Sequence, residues 1–299
     1  MKVAVLLSTY NGEPFIREQI NSILNQQGNF ELDLWIRDDH STDQTRAILS
    51  EYEMAGKLNW YTGENLGAAH SFIDLIKHCK GYDFYAFSDQ DDFWMPEKLQ
   101  SGIDQIRTID TAALCTGNAE LVDRDLSSLG RAVYKAKPRT DFYTIVCAGG
   151  LLGCTMVFNH HLAQIVQKYA APPRLVMHDF YLSVLCAAVD GAIIYDPVPY
   201  MKYRQHGKNV YGVPHGLVKT LLSRLDSVQI KSAVSIADQA ESLLAIKEVS
   251  AEKREWLKVV SDYRTSFFRR IKLATASRVS YTNMNQAITT RTAIFFANR

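Results

Sequence analysis

Cysteine is scarce in this 299-residue chain, and the few cysteines present form no metal-binding pattern. They are five in number, widely spaced and without a CxxC pair, at positions 79, 115, 147, 154 and 186. An odd number at such spacing argues against a disulfide framework and against a zinc site. We therefore expect five buried, unpaired thiols in a protein of a reducing compartment.

Long apolar runs are missing as well. No stretch approaches the ~18 consecutive apolar residues that a membrane-spanning helix needs. Residues 2–7 combine one lysine with a short apolar run that turns polar at Ser8, which is typical of a first strand rather than of a signal peptide. The sequence therefore predicts a cytoplasmic protein without a transmembrane segment.

The chain has little net charge, only +1, which argues against nucleic acid as a partner. The charge is unevenly distributed, however. Residues 254–299 hold nine Lys or Arg against two acids, a balance of +7 that leaves −6 for residues 1–253. A slightly acidic body is thus joined to a basic tail.

Apolar runs of strand length alternate with helical patterns through the first hundred residues, which is typical of βαβ units and a parallel sheet. The predicted strands cover residues 3–7, 32–36, 58–61 and 82–87. Further strands are predicted at 112–116, 192–195 and 198–203, and the pattern from residue 216 onward is helical. A capping-box pattern at Ser41–Gln44 predicts the start of a helix there. The fold class is α/β.

Three carboxylates, Asp89, Asp91 and Asp92, crowd the end of the strand at 82–87. Like charges so close together are costly unless a cation or hydrogen-bond donors compensate them. Mg²⁺ or Mn²⁺, shared with substrate phosphates, would do so. A solvated acidic turn before the helix that starts at Pro96 explains the same residues, so the stretch alone leaves both interpretations open.

Two more polar motifs follow earlier strands: Ser8-Thr9-Tyr10-Asn11-x-Glu13 and Asp38-Asp39-x-Ser41-x-Asp43. The first offers an aromatic ring and free amides to a nucleobase, and the second offers carboxylates to a base N–H or a ribose hydroxyl. Each motif alone is weak. Because ligands bind outside the carboxyl ends of strands in open α/β sheets, their succession predicts a nucleotide site.

The motifs STYNGE (8–13), RDDHSTDQT (37–45), ENLGAAHSF (64–72) and SDQDDFW (88–94) resemble those of family 2 glycosyltransferases. The resemblance weakens but continues to about residue 212, where it is similar to bacterial rhamnosyltransferase-like members. It implies a GT-A fold, with a mixed sheet flanked by helices. The implied catalytic domain is 1–212, with a nucleotide-sugar half at about 1–110 and an acceptor half at about 111–212. A helical extension, 213–299, follows.

The resemblance also implies a nucleotide-sugar site, in which Asp39 faces a pyrimidine N3–H. Its implied residues are Ser8, Tyr10, Glu13, Asp39, Asn65, Gly67 and Asp89. Asp91 is the implied metal ligand, and the role of Asp92 is left open. His206 could be a second ligand of the Mg²⁺ or Mn²⁺ ion, or a loop histidine that binds nothing. Arg204 or Lys208 could neutralise the diphosphate.

An inverting transfer needs a general base, and the resemblance points to Asp179 at the start of a helix. A simple helix cap is the alternative. His178 takes the place of the glutamate that is usual before this aspartate, so we assign it to the acceptor side without a defined role. Gly149 and Gly150 could let the acceptor sugar lie against the backbone, or could simply form a tight turn.

The basic tail carries apolar residues at helical spacing, at Trp256, Val260, Tyr263, Phe267 and Ile271. Such a stripe with basic neighbours is compatible with peripheral contact to an anionic membrane. A core-facing helix or a homodimer contact explains it equally well.

The sequence predicts an inverting, metal-dependent glycosyltransferase that extends a lipid-linked glycan of a bacterial surface polysaccharide. The preferred donor is dTDP-L-rhamnose, with a UDP-hexose as the alternative. A sugar-1-phosphate nucleotidyltransferase should have a glycine-rich loop with a basic residue after the first strand, whereas residues 8–14 hold one glycine and no Lys or Arg. A non-catalytic protein that binds sugar nucleotides is the remaining alternative.

Overall fold

The computed structural model describes residues 1–149, 151–206 and 236–296. Within them the strands are β1 Lys2–Thr9, β2 Glu31–Asp38, β3 Asn59–Thr62, β4 Phe84–Ser88, β5 Phe93–Trp94, β6 Ala113–Val122, β7 Ser128–Ala132, β8 Val157–Asn159 and β9 Ala192–Arg204. The helices before β9 are α1 Ile16–Leu24, α2 Thr45–Met54, α3 Gly67–His78, α4 Lys98–Ile106, α5 Phe142–Ala148, α6 His160–Lys168 and α7 His178–Ala188. The later helices are α8 Ile236–Leu243, α9 Ala251–Ser261, α10 Phe267–Ala274 and α11 Met284–Phe295.

The strands of the described residues form one mixed sheet in the order β3-β2-β1-β4-β8-β6-β9-β5, with β7 paired to β6. The first four of these strands are parallel to one another. β8 then runs antiparallel to both β4 and β6, and β9 is parallel to β6. The predicted α/β class and mixed sheet are confirmed. Because β1, β2 and β4 are parallel, their carboxyl ends lie at one edge of the sheet.

Strand β1 is buried on both faces, as its continuous apolar run predicts. Val3, Val5 and Leu7 pack on one side of the sheet with α1, α2 and α4. Ala4 and Leu6 belong to the core on the other side, which α3, α5, α6 and α7 cover together with residues of α8–α11. The C-terminal helices therefore share a core with the sheet. All five cysteines are buried and unpaired, as predicted.

Helix α7 connects the edge of the sheet to the C-terminal helices. Lys253 of α9 donates to the carbonyl oxygen of Ala187 in the last turn of α7 and forms an ion pair with Asp190 just beyond it, with an N···O distance of 2.7 Å. The other end of α7 begins at His178. This single helix thus contacts both regions of the protein.

Two local predictions are wrong. The capping box at Ser41–Gln44 does not form: Asp43 Oδ1 instead accepts from the backbone N–H of Thr45, where α2 begins, while Ser41 Oγ accepts from the N–H of Asn11. The strands predicted at 192–195 and 198–203 are one strand, β9, whose pairing with β6 shifts register near Gly117 and Asn118.

The apolar stripe predicted for the tail is also wrong as a single face. α9 ends at Ser261, and α10 begins only after Ser266, whose side chain caps it. Val260 and Tyr263 are consequently buried, whereas Phe267 and Ile271 are exposed. None of the helices in the described ranges combines the length and apolarity needed to cross a membrane.

Candidate active site

A cleft of about 540 Å³ lies at the edge of the sheet where β1, β2 and β4 end. The α3 and α7 N-termini and the end of β9 complete it. Ten of the predicted site residues line this cleft: Ser8, Tyr10, Asp39, Asn65, Gly67, Asp89, Asp91, His178, Asp179 and His206. Residues from six separate segments of the chain are thus brought together, as the topology predicts.

Gln90 joins the first motif to the acidic stretch. Its Oε1 accepts from the Thr9 hydroxyl at 2.6 Å and from the Tyr10 N–H at 2.9 Å, and its Nε2 donates to the Tyr10 carbonyl at 3.2 Å. A Cβ atom on Gly12 would lie 2.5 Å from Gln90 Oε1, so a side chain there would displace the Gln90 amide from these hydrogen bonds. The sequence alone predicts no role for Gln90, whose only signal is its place between two site aspartates.

Asp39 is held by three donors and keeps one acceptor position. Its Oδ1 accepts from the Arg37 guanidinium and from the Leu66 N–H at 2.8 Å. Its Oδ2 accepts from the Gly67 N–H at 2.8 Å. A carboxylate has about four lone-pair positions, so one remains on Oδ2 of this cleft-lining residue. Arg37, which is buried and was not predicted as a site residue, fixes this orientation.

Glu13 lies outside the cleft, which corrects its predicted role in the nucleoside pocket. Its side chain is exposed and accepts from the backbone N–H of Gln44 at 3.2 Å, so that it ties the first motif to the second. Tyr10, by contrast, lines the cleft with 49% of the residue exposed. An exposed ring at the mouth of a cleft is available to stack on a planar ligand.

The acidic stretch divides its carboxylates between the cleft and the interior. Asp91 Oδ2 lies 2.6 Å from His206 Nε2, and both side chains are largely but not fully buried at the cleft wall. Asp92 is buried: its Oδ1 accepts from the Arg204 N–H at 3.3 Å and its Oδ2 has no hydrogen-bond partner. Burial and the charge of Asp91 raise the pKa of Asp89 to about 7, and the same causes raise the pKa of Asp92.

These residues fit a hard divalent cation. The carboxylate of Asp91 and the imidazole of His206 supply the oxygen and nitrogen ligands that Mg²⁺ or Mn²⁺ accepts. A cation beside Asp91 would also relieve the repulsion among the three aspartates. Cys154 Sγ lies within 4.8 Å of carboxylate oxygens of Asp89 and Asp92. Thiolates are soft ligands, which Mg²⁺ and Mn²⁺ do not favour, so we do not assign Cys154 to such an ion.

Arg204 lies behind the acidic loop, which corrects the prediction that it contacts the diphosphate. The residue is 2% exposed, and its guanidinium donates to the carboxylate of Glu18, to the carbonyl of Arg124 and, at 2.8 Å, to the carbonyl of Asp91. The guanidinium group has five N–H donors in one plane, which suits it to hold several acceptor oxygens in place. Lys208, the alternative diphosphate contact, lies outside the described residues.

Asp179 is anchored by backbone donors from two elements. Its Oδ1 accepts from its neighbour Phe180 N–H at 2.6 Å and its Oδ2 from the Gly153 N–H at 3.0 Å. The residue that caps α7 is Met177, so Asp179 is not the simple helix cap that the sequence left open. Each oxygen keeps a second lone pair. Burial raises the pKa of Asp179 to about 6.

Gly149, one of the two glycines predicted on the acceptor side, lies outside the residues that line the cleft. Gly149 ends α5 with φ of +57°, and a Cβ there would lie 3.4 Å from the Phe180 ring. This geometry favours the tight turn that the sequence left open as the alternative. Gly150 lies outside the described residues.

This chain is similar in sequence to known proteins. The profile described as "Glycosyl transferase family 2" matches residues 4–152. The dTDP-rhamnosyl transferase RfbG of Shigella flexneri is 32% identical over 223 residues, covering 69% of this chain and 73% of that protein. The UDP-Glc:alpha-D-GlcNAc-diphosphoundecaprenol beta-1,3-glucosyltransferase WfgD of Escherichia coli is 30% identical over 182 residues, covering 60% of this chain and 67% of the relative.

Solved structures share the fold. The mannosyltransferase PcManGT from Pyrobaculum calidifontis, solved in complex with GDP-Man and Mn²⁺, superposes with a TM-score of 0.55 over 97% of this chain and 73% of its own. At 16% sequence identity this likeness concerns the fold alone.

Proposed function

Because the chain belongs to glycosyltransferase family 2, we propose that it is an inverting, metal-dependent transferase that moves a sugar from a nucleoside diphosphate onto a lipid-linked glycan. That it is a glycosyltransferase of the GT-A fold follows from the family. One observation carries the finer proposal: the Asp91–His206 pair and Asp179 line the same cleft. The residues that would bind the diphosphate through a metal ion and the residue that takes the proton can therefore act on the same donor and acceptor.

On the donor side, the residues of β1, β2 and α3 bind the nucleotide. Tyr10 offers its exposed ring to the base, and the remaining lone pair of Asp39 Oδ2 accepts the N3–H of a pyrimidine. Asp91 and His206 would hold the Mg²⁺ or Mn²⁺ ion. When bound, such an ion stabilises the negative charge that develops on the departing diphosphate. Asn65 and Gly67 form the wall beside the base and ribose.

On the acceptor side, Asp179 takes the proton from the attacking hydroxyl. The two backbone N–H groups fix its orientation, so little rearrangement is needed when the acceptor arrives. A pKa of about 6 leaves the group ionised at neutral pH and still basic enough to share a proton in the transition state. Inversion requires the hydroxyl to approach the sugar from the face opposite the diphosphate.

The donor we propose is dTDP-L-rhamnose, supported by the likeness to a dTDP-rhamnosyl transferase. We expect dTDP-L-rhamnose with Mn²⁺ or Mg²⁺ to raise the melting temperature more than UDP-glucose or GDP-mannose does. A ligand that binds only the folded state adds about 2.7 kcal/mol at 100 times its Kd. Differential scanning fluorimetry with and without the metal ion measures the shift. A larger shift with UDP-glucose would replace the proposed donor while keeping the proposed reaction.

A lipid-linked acceptor calls for contact with a membrane, and the C-terminal helices expose the surface for it. Half of the large apolar side chains that are exposed in the described residues lie on or next to α10 and α11: Phe267, Phe268, Ile271, Met284, Ile288 and Phe296. Residues 263–296 contain six Arg or Lys and no acidic residue. Apolar side chains beside basic ones suit the anionic inner face of a cell membrane, where we place the enzyme.

We expect the protein to bind vesicles that contain phosphatidylglycerol and not vesicles of phosphatidylcholine alone. The double variant Phe268→Ser, Met284→Ser should lose at least about tenfold in vesicle affinity, because each apolar side chain that enters lipid contributes on the order of 1–3 kcal/mol. Met54→Ser on α2 is the matched control, since Met54 is 81% and Met284 78% exposed. Vesicle flotation measures the bound fraction.

Wild-type protein that stays free of anionic vesicles would contradict membrane contact. A homodimer contact is the other explanation of this surface that the sequence left open. Light scattering on the same variants would reveal it, because a dimer that becomes a monomer on Phe268→Ser, Met284→Ser substitution identifies the surface as a contact between two copies.

A further inference from the structure

A short basic segment leads from β7 toward α5. It comprises residues 131–139, which include Arg131, Lys135, Lys137 and Arg139 and no acidic residue. All four basic residues are exposed, and none forms an ion pair with another residue in the described part of the chain. Because residues 1–253 carry a net charge of −6, this segment is a local excess of positive charge.

The middle of the basic segment is held against β6 and, through it, against the cleft. Asn118 Oδ1 accepts from the Tyr134 N–H, and Asn118 Nδ2 donates to the Tyr134 carbonyl, both at 3.0 Å. The neighbouring Gly117 N–H donates to the Thr155 hydroxyl at 3.0 Å. That hydroxyl donates in turn to the carbonyl of Leu152 at 2.7 Å. Leu152 lines the cleft, so a continuous set of contacts connects the segment to it.

These contacts place the basic segment beside the proposed base. Gly153, which follows Leu152, donates its N–H to Asp179 at 3.0 Å. Burial raises the pKa of Tyr134, a backbone hydrogen bond with Leu152 opposes the rise, and the charge of Asp179 adds to it. Tyr134 is therefore near enough to Asp179 for the two groups to interact electrostatically. The segment borders the end of the cleft to which we assign the acceptor.

The other end of the basic segment leads to the C-terminal helices. Asp141, two residues after Arg139, caps α5 by accepting from the Thr144 N–H at 3.0 Å. The Thr144 hydroxyl donates to the Ser280 carbonyl at 2.7 Å and accepts from the Ser280 N–H at 3.1 Å. Ser280 comes shortly before α11, one of the two helices that we propose to contact a membrane. The segment thus connects the acceptor end of the cleft to that surface.

A lipid-linked glycan with a phosphate linkage has its parts in the same order. Its lipid lies in the membrane, its terminal sugar reaches the base, and its phosphate groups lie between the two. Phosphate oxygens accept charge-assisted hydrogen bonds from Arg and Lys, which are strong compared with bonds between neutral groups. A neutral sugar would gain much less from four cations. The position and the charge of the segment therefore both fit the phosphate part of such an acceptor.

We propose that the basic segment binds the phosphate groups that join the acceptor sugar to its lipid. This inference rests on the proposed function, because that function brings a lipid-linked glycan to the cleft. The headgroups of anionic phospholipids present related chemistry, and the experiment below separates them from the acceptor.

The double variant Lys135→Gln, Lys137→Gln tests the proposal with farnesyl diphosphate, a soluble lipid diphosphate without a sugar. Isothermal titration is carried out with dTDP and Mn²⁺ present, so that the proposed donor side is already occupied. We expect the wild-type protein to bind the probe and the variant to bind it at least about tenfold more weakly, since each basic residue near a phosphate surface contributes about fivefold. Added salt should weaken wild-type binding more than binding by the variant, because exposed charges are screened.

Two controls accompany the titration. The double variant Lys57→Gln, Lys80→Gln removes the same charge from exposed residues near the starts of β3 and β4, at the opposite edge of the sheet. It should bind farnesyl diphosphate like the wild-type protein. Farnesol, which lacks the phosphates, should not distinguish the Lys135→Gln, Lys137→Gln variant from the wild-type protein.

Several outcomes would overturn the proposal. Wild-type protein that does not bind farnesyl diphosphate, or a Lys135→Gln, Lys137→Gln variant that binds it equally well, removes the phosphate site. A loss seen only with phosphatidylglycerol vesicles assigns the segment to bulk lipid instead. An equal loss of dTDP-L-rhamnose binding assigns it to the donor. Failure of the proposed function is distinguishable, because then wild-type protein transfers no sugar from any donor, whatever its affinity for farnesyl diphosphate.

Discussion

Asp91→Ala is expected to lose metal-dependent nucleotide binding and, with it, sugar transfer. The carboxylate of Asp91 is the one member of the acidic stretch that lies within 2.6 Å of His206 Nε2 at the cleft wall. Its removal leaves His206 without the oxygen partner that a hard cation needs. Because charge stabilisation of the leaving group is commonly the largest catalytic contribution, we expect transfer to fall at least about 10³-fold.

Isothermal titration of the nucleotide with and without Mn²⁺ separates binding from turnover in this variant. Asp104→Ala is the matched control, because Asp104 is an exposed α4 residue in an ion pair with Arg107 and lies outside the cleft. It should leave both binding and transfer unchanged. Wild-type transfer by Asp91→Ala would disprove the assignment of this residue to the metal.

Asp179→Asn should bind the donor and transfer almost nothing. The amide keeps the size of the side chain but cannot take a proton, and loss of a general base typically reduces the rate by about 10²–10⁴-fold. One of the backbone N–H groups of Gly153 and Phe180 will face the amide NH₂, so a moderately lower melting temperature is expected as well. Donor titration shows that the cleft is intact.

The pH profile gives an independent measure of the same role. The base must be ionised, and burial raises the pKa of Asp179 to about 6. Transfer by the wild-type protein should therefore fall as the pH decreases through about 6. Asp190→Asn, just beyond the far end of α7, is the control and should keep the wild-type rate and profile. Near-normal turnover by Asp179→Asn would exclude Asp179 as the base.

The parallel half of the fold and its polar edge were predictable from two features of the sequence. The periodicity of apolar residues determines the strands and helices, and the position of polar residues at the strand ends determines the edge. Ser8 lies near the end of a buried strand, Asp39 and Asp89 each directly follow one, and parallel strands bring their carboxyl ends to one edge. The antiparallel insertion of β8 between β4 and β6 had no such signal. It is three residues long and follows an apolar region interrupted by glycines. Short strands of this kind are specified by tertiary packing rather than by local pattern.

The prediction of the site was limited because the sequence does not show in which direction a side chain points. Arg204 was expected in the cleft, yet its guanidinium turns toward carbonyls of the acidic loop and Glu18, a choice that only the three-dimensional neighbours decide. Gln90 and Arg37 were missed because their hydrogen bonds join segments 80 and 34 residues apart. Asp179 and His206 came from resemblance to the family, since no local pattern links them to the acidic stretch.

The position of α7 implies a fixed distance between the proposed catalytic base and the C-terminal helices. One end of this helix carries Asp179, and the other is held to α9 by Lys253. An 11-residue helix is a rod about 16 Å long. If the exposed face of α10 and α11 rests on a membrane, Asp179 is held at a fixed distance from the lipid surface. Only acceptors whose terminal sugar reaches that distance would be extended, so glycan length becomes a criterion of selection.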